Sequence, residues 1–513
     1  MSTQSTETSR KESFILILSV FIAGLCSLIY ELLIGTTSSY FLGDSIKQFS
    51  LTIGVYMAAM GLGSYLSRLV GDKYLLENFI AFEIALGLLG GISIPVLYFA
   101  FSYTDSYGLF MFTLIILIGT LIGLEIPLLT RIMERFYALK VNISNVLSID
   151  YLGALVATLL FPFLFLPFFG TFKTGLAFGL INMSIGFLNL WCFSEQIQLS
   201  RKRILYFYNT TVALFILFLL IFSNTLLSQW NASAYNDRVV FSKESKYQNI
   251  TVTKNKDDLR LFLNGNLQFS SADEYRYHET LIHVPMLYSK QVHEVLLLGG
   301  GDGLAVRELL KYPEIKTITV VDLDPEITRL AKQNRHFLKV NKGSFASNKV
   351  NIVHEDAFVF LKQSTQEYDL IIADLPDPNN PSLSRLYSNR FYRLIYKNLR
   401  SSGLFITQAT SPFYAKKVFW SIHATLAHAG FSALLPLHVN VPSFGEWGFI
   451  IASKSQSLQI SRNLLVETRF IEAALIDKIT LFEKDLVDHD VEINTLDKPV
   501  ILGYYIDSWR YWD

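Results

Sequence analysis

The chain has 513 residues, 51% hydrophobic and 17% charged, with 44 basic and 44 acidic side chains. Its length allows several domains, and its apolar content is high for a chain kept wholly in water. A net charge of zero supplies no basic field, so composition gives no reason to expect nucleic acid as a partner.

A polar tail, 1–13, precedes apolar runs at about 14–38, 49–70, 79–102, 108–129, 147–169, 174–193 and 204–224. About 20 apolar residues cross a bilayer, so these runs predict a membrane domain over 14–227 with about seven transmembrane helices. The first run is too long for a simple cleaved signal peptide and is read as retained. Cys26 and Cys192 both lie in such runs. Neither a disulfide framework nor a cysteine-based metal site follows from them.

Glu31, Glu83, Glu125 and Asp150 interrupt the apolar runs. Ionisable groups are costly there, which points to a polar cavity, a proton path or a ligand site, or else to pairing within the bundle. The stretch "GVYMAAMGLGSYL" reads as a close helix-packing surface. One set of alternate loops carries Arg68, Lys73, Arg131, Arg135, Lys140 and Arg201 to Arg203, against Lys47 and Lys173 in the other. The basic set is expected in the cytoplasm, which with seven crossings puts the part after 227 outside.

Residues 228–292 alternate apolar and polar side chains around an Asn-Gly turn and then become helical, predicting a small β subdomain. From 293 to 453, the runs "EVLLLG", "TITVVD", "NIVHED", "YDLIIADLP" and "GLFITQA" alternate with helix-length segments. That pattern predicts a doubly wound parallel α/β sheet. A helical and aromatic extension, 454–513, ends in "YYIDSWRYWD".

Ligands in such sheets bind beyond the carboxyl ends of the strands. Gly299, Gly300, Gly301 and Gly303 clear the first turn for close backbone approach. The GxGxxG spacing of a dinucleotide site fails, because its third glycine position holds Leu304. Asp322 ends the next strand, where a carboxylate can accept both ribose hydroxyls. A nucleoside without pyrophosphate fits these residues, which points to S-adenosyl chemistry. Asp356, after the third strand, can meet an adenine amino group or serve as a cap. Asp374 and Asp377 in "ADLPDP" suit a cationic substrate, or a turn and helix cap. No histidine or further acid at ligand spacing supports a metal there.

These residues resemble the spermidine synthases, or polyamine aminopropyltransferases, across about 245–453. The resemblance rests on "YQNI", "LFLNGNLQFSSADEYRYHE", "LLLGGGDGLAVRELLKYP", "VVDLDP", "HEDAF" and "YDLIIADLPDPNNP". The apolar array and the tail "LDKPVILGYYIDSW" are similar to the long membrane-attached bacterial form. What the resemblance implies is a methyltransferase-like fold that moves an aminopropyl group from decarboxylated S-adenosylmethionine to putrescine or a related amine. The products are spermidine or a related polyamine and 5'-methylthioadenosine, and the donor is a co-substrate, so no cofactor is required.

The same resemblance implies Asp374 as the base and Tyr277 as its orienting partner. It implies Gln248 and Pro381 on the methylthioadenosine portion, Asp322 on ribose, and Asp356 and Ala357 near adenine. His278, Asp302 and Asp377 fall at the amine positions, Asp302 taking the donor's aminopropyl nitrogen and thereby disfavouring the carboxylate of ordinary S-adenosylmethionine. Leu375, Pro376, Asn380 and Phe444 depart from the family pattern and put the acceptor amine in question, with Glu446 as a possible replacement acid. A polyamine or cation transporter with a modifying α/β domain is the alternative, and a methyltransferase is disfavoured by Asp302 and the aspartate pair. The expected location is the cell membrane. A cytosolic donor requires the catalytic domain in the cytoplasm, against the loop charges. Soluble members form dimers or tetramers, so a homo-oligomer is a further expectation.

Overall fold

The computed structural model describes residues 2–42, 45–233, 235, 237–455, 457–461 and 463–512. It divides into two compact units, Met1–Asn236 and Asp237–Asp513.

The first unit is helical: α1 Ser2–Leu42, α2 Ser45–Leu66, α3 Leu75–Tyr103, α4 Tyr107–Met133, α5 Leu139–Leu160, α6 Leu166–Cys192, α7 Leu199–Ile221 and α8 Ser223–Ser233. Each predicted apolar run is mainly helical, although 49–70 runs past the end of α2 and 204–224 crosses the break at Phe222 between α7 and α8. Leu139–Cys192 is helical almost throughout, but Gly170 has φ 68° and ψ 177°, outside any helix. There the chain reverses: the Thr174 hydroxyl is 3.4 Å from the Phe165 carbonyl, and the Phe165 and Phe178 rings lie 5.0 Å apart. Residues nine apart in a straight helix are separated by about 13 Å, so this segment is two antiparallel helices.

Of the glycines in "GVYMAAMGLGSYL" only Gly63 permits close packing: a Cβ there would lie 2.0 Å from the Thr120 carbonyl oxygen on α4, whereas one at Gly54 or Gly61 would meet no atom within 4 Å. Glu83 and Glu125 are buried, while Glu31 and Asp150 are half-buried. The predicted boundary at 227 falls too early. Leu226, Leu227 and Trp230 of α8 pack on the helical core, so the first unit runs on to Asn236.

The second unit opens with an antiparallel meander: β1 Arg238–Glu244, β2 Asn249–Asn255, β3 Asp258–Leu263 and β4 Asn266–Ser270. Asn264 and Gly265 both take positive φ, 50° and 81°, as a tight hairpin turn demands. Then follow α9 Glu274–Tyr288, β5 Glu294–Gly299, α10 Leu304–Leu309, β6 Thr317–Asp322, α11 Pro325–Gln333, α12 Arg335–Asn341, β7 Val350–His354, α13 Ala357–Gln363 and β8 Tyr368–Asp374. The rest comprises α14 Pro381–Ser384, α15 Asn389–Asn398, β9 Leu399–Gln408, α16 Lys416–Ala429, β10 Ala433–Val441, β11 Gly445–Ser453, α17 Ile476–Ile479 and α18 Val500–Trp512.

The large sheet has the order β10-β11-β9-β8-β5-β6-β7. The five predicted strands are β5 to β9 and run parallel. The sheet as a whole is mixed, which corrects the all-parallel expectation. β10 and β11 form an antiparallel hairpin that joins β9 through β11. A parallel pair needs a crossover of a dozen or more residues, and only 442–444 separate these two strands. Both sheet faces are covered, which explains the unbroken apolar runs. Val295 and Leu297 of β5 enter one core and Leu296 and Leu298 the other, as Leu370 and Ile372 of β8 oppose Ile371 and Ala373.

Candidate active site

The chain steps from β5 outward through β6 to β7 and then returns to β8 on the other side of β5, so the carboxyl ends of β5 and β8 border the crevice where doubly wound sheets hold ligands. Gly299 pairs in register with Asp374 across that crevice. The turn after β5 brings backbone against acid: the Gly301 amide donates to Asp322 Oδ2 at 3.0 Å, and a Cβ at 301 would lie 2.4 Å from that oxygen. Only glycine lets the β6 carboxylate sit there. The Asp324 amide donates to Asp322 Oδ1 at 2.8 Å, so both oxygens are anchored while keeping acceptor capacity. Burial pushes the Asp322 carboxyl up to about 6.

Asp302 accepts from the Leu304 amide at 2.8 Å, and burial raises its carboxyl to about 6 against the pull of His278. Asp374 ends β8, where the buried Tyr277 hydroxyl donates to its Oδ1 at 2.7 Å. Burial raises Asp374, while His278 and the Tyr277 hydroxyl pull it down. Tyr277 and His278 share α9. Burial opposes charge on the His278 ring, but Glu274 at 2.8 Å, with Asp302 and Asp374 nearby, holds its pKa at about 9. At neutral pH the ring is an imidazolium among carboxylates.

That imidazolium is held by groups absent from the sequence reading. Arg307 grips Glu274 with two hydrogen bonds of 2.9 Å, and Arg307 Nε donates to Glu308 at 2.8 Å. Glu308 in turn meets His283 at 2.9 Å and Lys311 at 2.6 Å. The spacing of Glu274 and His278, one helical turn apart within "DEYRYHE", is the signal that could have found the first of these.

The loop after β8 is clamped by its carbonyls. Tyr387 donates to the Pro376 carbonyl at 2.9 Å and Gln408 to the Leu375 carbonyl at 2.7 Å. Asp377 then receives Gln408 at 3.2 Å, Thr410 at 3.3 Å and Tyr505 of α18 at 3.2 Å. Thr410 holds φ 56°, a rare state for a β-branched residue, and so carries strain at the site. Gln408, Thr410 and Tyr505 lie far along the chain from Asp377 and left no local signal.

Burial also pushes the Asp377 carboxyl up to about 6. The fold therefore favours its neutral form: this stabilisation is complete below the ordinary carboxylate pKa and is lost as pH rises through about 6. With a discount for water at the half-buried carboxylate, the ionised group costs the empty site about 2 kcal/mol at neutral pH. Asp377→Asn is expected to melt a few degrees above wild type at neutral pH, the gap closing near about pH 4. A thermal scan of the ligand-free protein at both pH values checks this.

Several of the remaining predicted residues have their side chains engaged by neighbours. Gln248 donates to Asp324 at 3.0 Å, just past β6. Asp356 caps α13, accepting from the Phe358 and Val359 amides at 3.0 and 3.2 Å, and its other oxygen pairs with Arg385. Both cap and ion pair occupy Asp356, so an adenine amino group would have to compete with Arg385. Ala357 opens α13 and Pro381 opens α14, which Asn380 caps through the Leu383 amide at 2.9 Å. Phe444 lies beside Tyr277, its ring 6.3 Å away, and brings no polar atom. Glu446 is paired with His438 at 2.5 Å and is thus committed within the β10–β11 hairpin. Among the described residues no cluster suited to a metal ion occurs.

Residues 274–463 match the spermine/spermidine synthase domain. The chain is 42% identical over 497 residues to a polyamine aminopropyltransferase of Leptospira interrogans, covering 96% of this chain and 98% of that protein. It is 41% identical over 502 residues to polyamine aminopropyltransferase 2 of Ralstonia nicotianae, covering 97% and 98%. A crystal structure of spermidine synthase in complex with the transition state analogue AdoDATO aligns with a TM-score of 0.45 and 23% identity, over 52% of this chain and 88% of its own.

Proposed function

The chain belongs to the polyamine aminopropyltransferase family, and from that premise we propose that it transfers an aminopropyl group from decarboxylated S-adenosylmethionine to putrescine or a related amine. The observation that carries this reading is the Asp374–Tyr277 pair, 2.7 Å apart, with Asp302 and Asp377 at the same strand ends. Asp322 would take the ribose hydroxyls, and Asp302 the donor's terminal ammonium. The acceptor's reacting nitrogen, deprotonated by Asp374, attacks the aminopropyl carbon next to sulfur. A C–N bond forms, the C–S bond breaks, and its electron pair stays on sulfur as 5'-methylthioadenosine leaves.

The sulfonium is already activated, so the protein's part is alignment and proton removal, with no cofactor beyond the co-substrate. His278, held cationic by Glu274, offsets the aspartates when the site is empty. The test is to incubate the purified full chain with the donor and a panel of amines. The expected result is methylthioadenosine together with a new polyamine, and no product with any amine would refute the reading.

The first unit is proposed to embed the chain in a bilayer. Large apolar side chains project from it, Phe163 at 76% exposure, Trp191 at 69% and Phe207 at 67%, more than a water-facing surface carries. The six apolar segments of membrane-crossing length include Leu139–Cys192, whose reversal at Gly170 favours seven crossings. The catalytic unit is assigned to the cytoplasm because its donor is made there, against the bias of the basic loops. A carboxyl-terminal fluorescent fusion is expected to be bright and an alkaline phosphatase fusion inactive. The opposite pair of readouts would place the unit outside.

A further inference from the structure

We propose that Tyr505, on α18, is a specificity residue that recognises the second ammonium group of the acceptor amine together with Asp377. This inference rests on the aminopropyl-transfer reading. Tyr505 lies outside the 274–463 segment that matches the family domain, yet its hydroxyl is 3.2 Å from Asp377 Oδ2. A phenol that donates to a carboxylate still has two lone pairs, and even with the Trp509 indole beside it one remains to accept, so an ammonium arriving at Asp377 meets two oxygens side by side. Gln408 donates to Asp377 Oδ1 at 3.2 Å and Thr410 to Oδ2 at 3.3 Å, which fix the carboxylate and offer no negative charge of their own.

The tail that carries Tyr505 is built into the unit. Glu279 on α9 accepts from the Arg469, Phe470 and Ile471 amides at 2.7, 2.8 and 3.0 Å. The buried Asn494 donates to the Ser384 carbonyl at 2.9 Å, and its amide donates to Thr425 at 2.9 Å. On α18, Ile501 is fully buried, and Trp509 stacks on Tyr414 with ring centroids 5.8 Å apart. Tyr505 is therefore held in place and does not sweep the solvent. Asp374 lies three residues before Asp377, so a diamine can present one nitrogen to each carboxylate. A monoamine reaches Asp374 without using Tyr505.

That difference is the test. Full-length wild type and Tyr505→Phe are assayed with the same donor and with putrescine or 1-aminobutane, the latter as a competitive inhibitor if its turnover is slow. Loss of a hydrogen bond to a charged group predicts a fall of about tenfold in kcat/KM for putrescine, carried by KM. The constants for 1-aminobutane and for the donor are expected to stay at wild-type values; a small fall in melting temperature from the lost hydrogen bond would act on both amines alike and so cannot mimic this split. An equal loss for both amines, or no loss for either, overturns the proposal. Failure of the wild type to release methylthioadenosine with any amine is a separate outcome, which overturns the transfer reading and this inference with it.

Discussion

Replacing Asp374 by asparagine is expected to lower kcat by about a thousandfold, within the range for removing a positioned general base. Binding of methylthioadenosine should stay near wild type. The separation follows from geometry: the nucleoside is to be held by Asp322, itself fixed by the Gly301 and Asp324 amides, whereas Asp374 ends the neighbouring strand beside Tyr277. Asparagine keeps an oxygen for the Tyr277 hydroxyl, so the loss reports the missing base and not a collapsed site. Single-turnover rates and nucleoside titration on the same sample check it, and turnover within about tenfold of wild type would remove Asp374 from the base role.

Asp302→Asn carries the second large effect, on the choice of donor. The asparagine oxygen still accepts from the Leu304 amide, so the start of α10 is preserved. What is lost is a negative charge deep enough that burial raises its pKa to about 6. Two like charges brought together in a desolvated site cost several kcal/mol, so the wild type should reject S-adenosylmethionine strongly. In the variant, the ratio of inhibition constants for S-adenosylmethionine and its decarboxylated form is expected to fall by about a hundredfold, through gain for one and loss for the other. An unchanged ratio would move donor selection to other residues.

The same residues show what a linear reading can reach. β5 to β9 were legible because parallel strands covered on both faces leave unbroken apolar runs, and Asp322 and Asp374 were legible because strand ends are where such sheets expose acids. The Asn264–Gly265 hairpin was legible for a local reason, since two successive positive φ values select those residues. The β10–β11 hairpin escaped because its two strands follow one another with no helix-length segment between them, so the alternation that marks β5 to β9 is missing there. Tyr505 and the Glu274–Arg307 pair escaped for a related reason. Their partners are brought to them by tertiary packing, over 128 residues for Tyr505 and Asp377, and no periodicity records that.

Glu279 also bears on how this family can be recombined. Its carboxylate binds the amides of 469 to 471 from the same helix that presents Tyr277 and His278 to the crevice. A crossover placed at the end of β11, where the sheet closes, would pair one parent's α9 with another parent's tail. The modular seam of the molecule lies instead before Asp237. Exchanges made there should move the whole catalytic unit intact, and chimeras cut near 453 should express yet lose acceptor preference.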